Sequence, residues 1–197
     1  AIDMMRKTGI PDPARRARAY PHELSGGLRQ RIMIAMALSC SPKLLLCDEP
    51  TTALDVTVQH QVLRLLEQLC EDSGTALVFV THDLGVVNQT CRDLAVMYAG
   101  EIVERGQVKN VFSGPRHPYT KGLLDSAPDF DKPDRKLAAI PGFPPNLADR
   151  GDGCPFQPRC PFAVEQCATS RPRLEQVLPG REAACFETAR IFEGATA

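Results

Sequence analysis

The sequence predicts an α/β chain that changes character partway along: a stretch with parallel-strand and helix signals, then a small irregular segment rich in proline and cysteine. Two short runs, Leu44 to Cys47 and Ala76 to Val80, are wholly apolar and lack polar alternation, the form taken by strands covered on both faces. Between them Val58, Val62, Leu65, Leu66 and Leu69 recur with helical spacing, forming one apolar stripe. Twelve of the 17 prolines fall from Pro115 onward, where apolar periodicity fades and loops are expected.

Taken in order, the first element is a helix opened by Leu24-Ser25-Gly26-Gly27 and continuing through Leu38, with Ser25 as its N-cap. The Leu44 strand follows, then a helix that Asp55 can cap and Gly74 can end, then the Ala76 strand. Together these form a βαβ unit, whose crossover is expected to be right-handed. Past Thr81 a short helix is expected. Leu94 to Tyr98 and Glu101 to Arg105, flanking Ala99-Gly100, then read as a hairpin or two edge strands. The composition shift divides the chain into residues 1–106 and 107–197.

At 197 residues and 43% hydrophobic, the chain can bury one good core plus a small appendage. Its 23 Lys+Arg against 24 Asp+Glu leave no broad basic face to bind nucleic acid or anionic lipid. No apolar run approaches the roughly 20 residues that a spanning helix needs. There is no basic-then-apolar leader, so the cytoplasm is the expected compartment. The start at Ala1, without Met, is compatible with a fragment.

In an open α/β sheet, ligands bind beyond the carboxyl ends of the strands, and the charged motifs collect there. The Leu44 strand delivers Asp48-Glu49-Pro50. One carboxylate at a strand end can hold Mg²⁺, and its neighbour can orient and deprotonate a water; Asp48 takes the first role and Glu49 the second. The second strand ends in Thr81-His82-Asp83, placing an imidazole at the same edge, where it can contact a γ-phosphate. The two glycines after Ser25 let backbone amides approach an anion. Taken singly, each feature has an ordinary structural explanation: a strand-to-loop transition, a hydrogen-bonded loop histidine, a capped helix.

Their order is more specific. Leu24-Ser25-Gly26-Gly27, Leu44 to Glu49, Thr52-Ala53-Leu54-Asp55 and Thr81-His82-Asp83 closely resemble the second half of an ABC-transporter nucleotide-binding domain, a P-loop NTPase. There they correspond to the signature motif, Walker B, the D-loop and the switch histidine. The resemblance implies ATP and Mg²⁺ as cofactors and a second ABC ATPase subunit packed head to tail, as a homo- or heterodimer. Ser25, Gly26 and Gly27 would meet the nucleotide on the partner, Asp48, Glu49 and His82 would serve the chain's own, and Asp55 would lie at the seam. Leu28 stands where many relatives have Gln. No G-x-x-x-x-G-K-S/T occurs anywhere, so the loop that cradles phosphates is missing. On the order of a hundred upstream residues are expected in the parent protein, and this stretch should be inactive alone.

Eight cysteines in a cytosolic chain favour free or metal-bound thiols over disulfides. Cys40, Cys47, Cys70 and Cys91 lie in the apolar part, where buried, inert thiols are expected. Cys154, Cys160, Cys167 and Cys185 crowd the tail at spacing C-x5-C-x6-C-x17-C. Four thiolates in a core-poor segment can organise it around a metal. The spacing has no tight zinc knuckle and leaves zinc and an iron–sulfur cluster both open. Arg150, Arg159, Arg171 and Arg173 could offset the cluster's charge.

His117-Pro118-Tyr119-Thr120, Pro141-Gly142 and Gly153-Cys154-Pro155-Phe156 look like the C-terminal extension of dipeptide and oligopeptide importer ATPases. Some members of that family carry a 4Fe–4S cluster on these cysteines, which the resemblance implies here, with Zn²⁺ and free or oxidised thiols as the alternatives. Tyr20-Pro21-His22-Glu23 fits the same branch. The implied activity is ATP hydrolysis that drives two transmembrane permease subunits and, indirectly, an extracytoplasmic substrate-binding protein, from the cytoplasmic face of the inner membrane. Nickel, glutathione or another small solute are alternative cargoes, and a soluble non-transport ABC ATPase is the rival class.

Overall fold

The computed structural model describes residues 1–51, 54–127, 138–146, 148 and 151–192. The chain forms two compact units, Ala1–Asp83 and Leu84–Ala197.

The first unit runs α1 (Ile2–Lys7), α2 (Pro13–Arg16), a 3₁₀ turn (Pro21–Glu23), α3 (Gly26–Leu38), β1 (Leu44–Asp48), α4 (Val56–Ser73) and β2 (Ala76–Val80). Its helix ends follow the local chemistry. The Leu28 N–H donates to Ser25 Oγ at 3.4 Å and the Val58 N–H to Asp55 Oδ1 at 2.9 Å, satisfying donors that a helix start otherwise leaves open. Gly74, at φ +64°, closes α4, and the Thr75 N–H returns to the Cys70 carbonyl. Strands β1 and β2 pair in parallel from Leu44↔Ala76 to Asp48↔Val80, so both finish at one edge. Ile34, Leu38, Leu45, Val62, Leu66 and Cys70 form the core beneath them.

One expectation is corrected here. The two strands are not covered on both faces: Leu45, Cys47, Leu77 and Phe79 turn inward, while Leu44, Leu46, Val78 and Val80 are about half exposed or more. Side chains alternate across a strand, and the described helices cover one face only.

The second unit contains α5 (Leu84–Thr90), β3 (Asp93–Tyr98), β4 (Glu101–Gln107), α6 (Val108–Ser113), α7 (Pro118–Ser126), α8 (Glu165–Thr169), β5 (Glu175–Leu178), β6 (Arg181–Ala183) and α9 (Thr188–Phe192). Strands β3 and β4 form an antiparallel hairpin whose turn residues, Ala99 and Gly100, both have positive φ, the geometry that matches strand twist in a tight hairpin. The tail is more ordered than its composition suggests. Strands β6 and β5 extend the hairpin into an antiparallel sheet of order β3-β4-β6-β5. The composition boundary near residue 107 therefore falls inside a compact unit.

Glu104 on β4 is fully buried. Its carboxylate accepts from the Arg116 and His117 backbone N–H groups at 2.8 and 2.9 Å and from Arg181 Nη2 at 2.6 Å. Arg181, itself buried, also donates to the Asn110 carbonyl. Beside this network Tyr98, Tyr119 and Phe156 pack with ring centroids 4.5 to 5.4 Å apart, the tilted and edge-on arrangements aromatic quadrupoles favour. Among the described residues, no helix is long and apolar enough to cross a membrane.

Candidate functional site

The parallel register of β1 and β2 brings Asp48, the last residue of β1, to the same edge as Val80, and the Glu49 N–H donates to the Val80 carbonyl at 2.9 Å. Glu49 has φ +43°, a conformation that costs an L-residue roughly 1–2 kcal/mol and that concentrates at functional sites. Its carboxylate lies 2.7 Å from His82 Nδ1, so residues 33 positions apart meet at one strand edge. That hydrogen bond and the carboxylate's charge raise the His82 pKa above its ordinary 6.5. Nearby, the Thr81 hydroxyl accepts from the Asp83 N–H at 3.0 Å.

The segment Leu24-Ser25-Gly26-Gly27 is held by neighbours of its own unit. A Cβ placed on Gly27 would come within 3.0 Å of Val58, and one on Gly26 within 3.7 Å of Leu54, so the start of α3 abuts the start of α4. Ser25 and Asp55 both serve as N-caps. Thr52 and Ala53 lie outside the described residues.

Because His82 is exposed, its pairing with Glu49 can be read by titration. Its raised pKa means the pair's stabilisation is present in full below pH 6.5 and is lost as pH rises through the raised value. An NMR titration is expected to place His82 above 6.5 in the native chain and to return it toward that value in Glu49→Gln. An unshifted native titration would remove the pair.

The second cluster lies in the other unit. Cys154, Cys160, Cys167 and Cys185 line one small cavity with His117 and Phe156, and all four are free thiols. Two of the elements that assemble them are local. The Cys154 N–H donates to the Cys167 carbonyl at 2.8 Å. Gly153 passes so close to this segment that an added Cβ would stand 2.5 Å from the Ala168 carbonyl oxygen, which makes glycine obligatory there. Burial raises the pKa of Cys154, Cys160 and Cys185, that of Cys160 to about 11, and the charges of the other thiols add to it. Among the described residues, no group of three or more His, Cys, Asp or Glu is arranged to coordinate a metal ion. The four sulfurs are free thiols gathered on one small cavity.

Two arginines expected to balance cluster charge are engaged with other groups. Arg159 donates to the Ile140 and Pro141 carbonyls and the Tyr98 hydroxyl, and Arg171 to Glu101 and the Gly151 carbonyl. Arg173 is exposed, and Arg150 lies outside the described residues. Of the four cysteines expected to be buried and inert, Cys70 is buried and Cys47 and Cys91 half-buried, but Cys40 is exposed. It follows the end of α3, where the chain turns out to solvent. Sequence reasoning missed His117 as a lining residue of the cysteine cavity, although its place before the proline of α7 marked it as a helix cap.

The ABC transporter family model matches residues 1–52, and the model for the oligopeptide/dipeptide transporter C-terminal region matches residues 103–167. A probable peptide ABC transporter ATP-binding protein of Sinorhizobium fredii is 52% identical over 97% of this chain and 57% of its own length. The dipeptide transport ATP-binding protein DppD of Escherichia coli is 49% identical over 94% of this chain and 57% of its own length. The oligopeptide transport ATP-binding protein OppD of Salmonella typhimurium is 51% identical over 95% of this chain and 56% of its own length. The chain thus spans little more than half the length of the curated relatives it matches. With about half its positions shared along almost its whole extent, the chain is similar to the matched part of the ATP-binding proteins of peptide, dipeptide and oligopeptide ABC transporters.

Proposed function

We propose that this chain is part of the ATP-hydrolysing, energy-coupling subunit of an ABC importer for dipeptides or oligopeptides. The observation that carries the proposal is the 2.7 Å contact between Glu49 and His82 beside Asp48, at the carboxyl edge of a parallel strand pair. The peptide cargo rests on the relatives, which are ATP-binding proteins of peptide, dipeptide and oligopeptide transport. In chain order, residues 1–106 carry the nucleotide motifs and 107–197 the peptide-importer extension, a division by ancestry that need not follow compactness.

Each residue has a distinct task in this reading. Glu49 accepts a proton from the attacking water. His82 holds that carboxylate in place and presents its remaining ring nitrogen to the γ-phosphate. Asp48 supplies the oxygen ligand for Mg²⁺, which offsets phosphate charge when bound. Ser25, Gly26 and Gly27 offer a hydroxyl and the first amides of α3 to a nucleotide held by the second ATPase subunit. Asp55, at the start of α4 beside them, faces the seam. Turnover requires the phosphate-cradling loop of a complete subunit, so the 197-residue chain alone is expected to be inactive. The permease pair receives the motion at the cytoplasmic face of the inner membrane, where this subunit is peripheral. Cys154, Cys160, Cys167 and Cys185 are the residues that would hold a 4Fe–4S cluster, or zinc, once their thiols were brought into coordinating positions, and such a group would tie the extension together.

Full-length protein carrying Ser25→Arg is the direct test of the shared site. It is expected to bind ATP as a monomer yet lose ATP-dependent dimerisation in size-exclusion chromatography, because the large cation fills the space meant for a partner's phosphates. Dimerisation at the wild-type level would overturn the head-to-tail arrangement.

A further inference from the structure

Two of the four tail cysteines are joined through the backbone itself. The Cys154 N–H donates to the Cys167 carbonyl at 2.8 Å, and among the described residues no other pair of the four shares a backbone hydrogen bond. Such a contact holds two α-carbons roughly 5–6 Å apart, inside the span of about 4.4–6.8 Å that a disulfide bridges. Gly153 fixes the approach, since a Cβ there would stand 2.7 Å from the Cys167 carbonyl oxygen. A bridge also needs side chains that converge. Those of Cys154 and Cys167 line the same small cavity, and both are free thiols.

The cavity measures about 20 Å³, room for a molecule near the size of water. That admits a small peroxide and turns away a bulky oxidant such as a peptide disulfide. Cys154 is half-buried and Cys167 buried, so a peroxide meets Cys154 first. We propose that hydrogen peroxide converts Cys154 and Cys167 of the metal-free extension into an internal disulfide, which clasps the Cys154 turn to α8. Cys154 gives up its proton and its sulfur attacks one peroxide oxygen; the O–O bond breaks, leaving a sulfenic acid and one water. The Cys167 sulfur then attacks the sulfenic sulfur, the S–S bond forms, and the hydroxyl leaves with the Cys167 proton as a second water. Two thiols are oxidised by one electron each, and the peroxide takes up both. The same sulfurs cannot be bridged and metal-bound at once, so the inference concerns the thiols alone and does not rest on the metal reading of the preceding section.

The test uses full-length protein freed of any bound metal by chelation, treated with hydrogen peroxide, blocked with N-ethylmaleimide and digested with trypsin. Cleavage after Arg150, Arg159 and Arg173 puts Cys154 in one peptide and Cys160 and Cys167 in the next, and fragmentation of the linked pair in the mass spectrometer tells the latter two apart. The expected product joins Cys154 to Cys167 and is reversed by dithiothreitol. The link should persist in Cys160→Ser and vanish in Cys167→Ser, where Cys154 stops at the sulfenic acid and is trapped by dimedone. Exposed Cys40 serves as the internal control for oxidation. Cys154 joined to Cys160 or Cys185 instead, or left open to N-ethylmaleimide after Cys40 is fully oxidised, would overturn the proposal. Mapping of the wild-type protein decides between these outcomes even if a variant fails to fold.

Discussion

Full-length protein in which Glu49 is replaced by Gln is expected to bind ATP normally and to hydrolyse it about 10²–10⁴-fold more slowly, the usual cost of losing a general base. The substitution suits the geometry. Glutamine keeps the length of the side chain and an oxygen for His82, which now lies 2.7 Å from the carboxylate, but it cannot take a proton from water. The positive φ of Glu49 and its backbone hydrogen bond to Val80 are independent of the side-chain charge, so the strand edge should keep its shape. Steady-state hydrolysis measured beside equilibrium binding of a fluorescent ATP analogue separates the two effects. Turnover within a few-fold of wild type would remove Glu49 as the base.

Glu104→Ala is expected to be the most damaging single change to the second unit. It leaves Arg181, whose side chain is 6% exposed, as a buried cation without a counter-charge, and it strands two backbone N–H groups that now donate to the carboxylate. Removing one member of a buried ion pair costs about 3–5 kcal/mol, most of it the penalty for the charge left behind. Pairing the change with Arg181→Met should recover much of that loss, since no buried cation then remains. The chain has no tryptophan, so urea unfolding can be followed through Tyr98 and Tyr119, which pack in the adjoining cluster. A single variant that loses less than about 1 kcal/mol would show that water replaces the pair.

The elements around Ser25, Asp48 and Asp55 were legible because each is specified by its own neighbours. Ser25 and Asp55 cap the helices that follow them, Gly74 ends α4, and the apolar runs pair as β1 and β2. The proximity of Glu49 and His82 was legible only through the strands: two parallel strands in register bring their carboxyl ends together. Which faces of those strands are covered was not legible, because four or five apolar residues in succession fit a strand buried on one side as well as on both.

The tail was harder to read for a different reason. Strands β5 and β6 comprise Glu175–Leu178 and Arg181–Ala183, too short and too charged to show alternation. They exist because β4 offers an edge and because Arg181 finds Glu104, a partner 77 residues earlier. The four cysteines stood out by their crowding in the tail, and the fold brings them to one small cavity. Their gathering depends on Gly153, a residue whose importance appears only when the backbone it passes is known.

The pairing of β6 onto β4 through Glu104↔Ala183 and Arg105↔Glu182 has a practical meaning for anyone cutting or fusing this polypeptide. A deletion placed after residue 107 to strip away the cysteines would also unzip the hairpin's neighbour and open a charged cavity around Glu104. Point substitution of the thiols is the cleaner way to ask what they do.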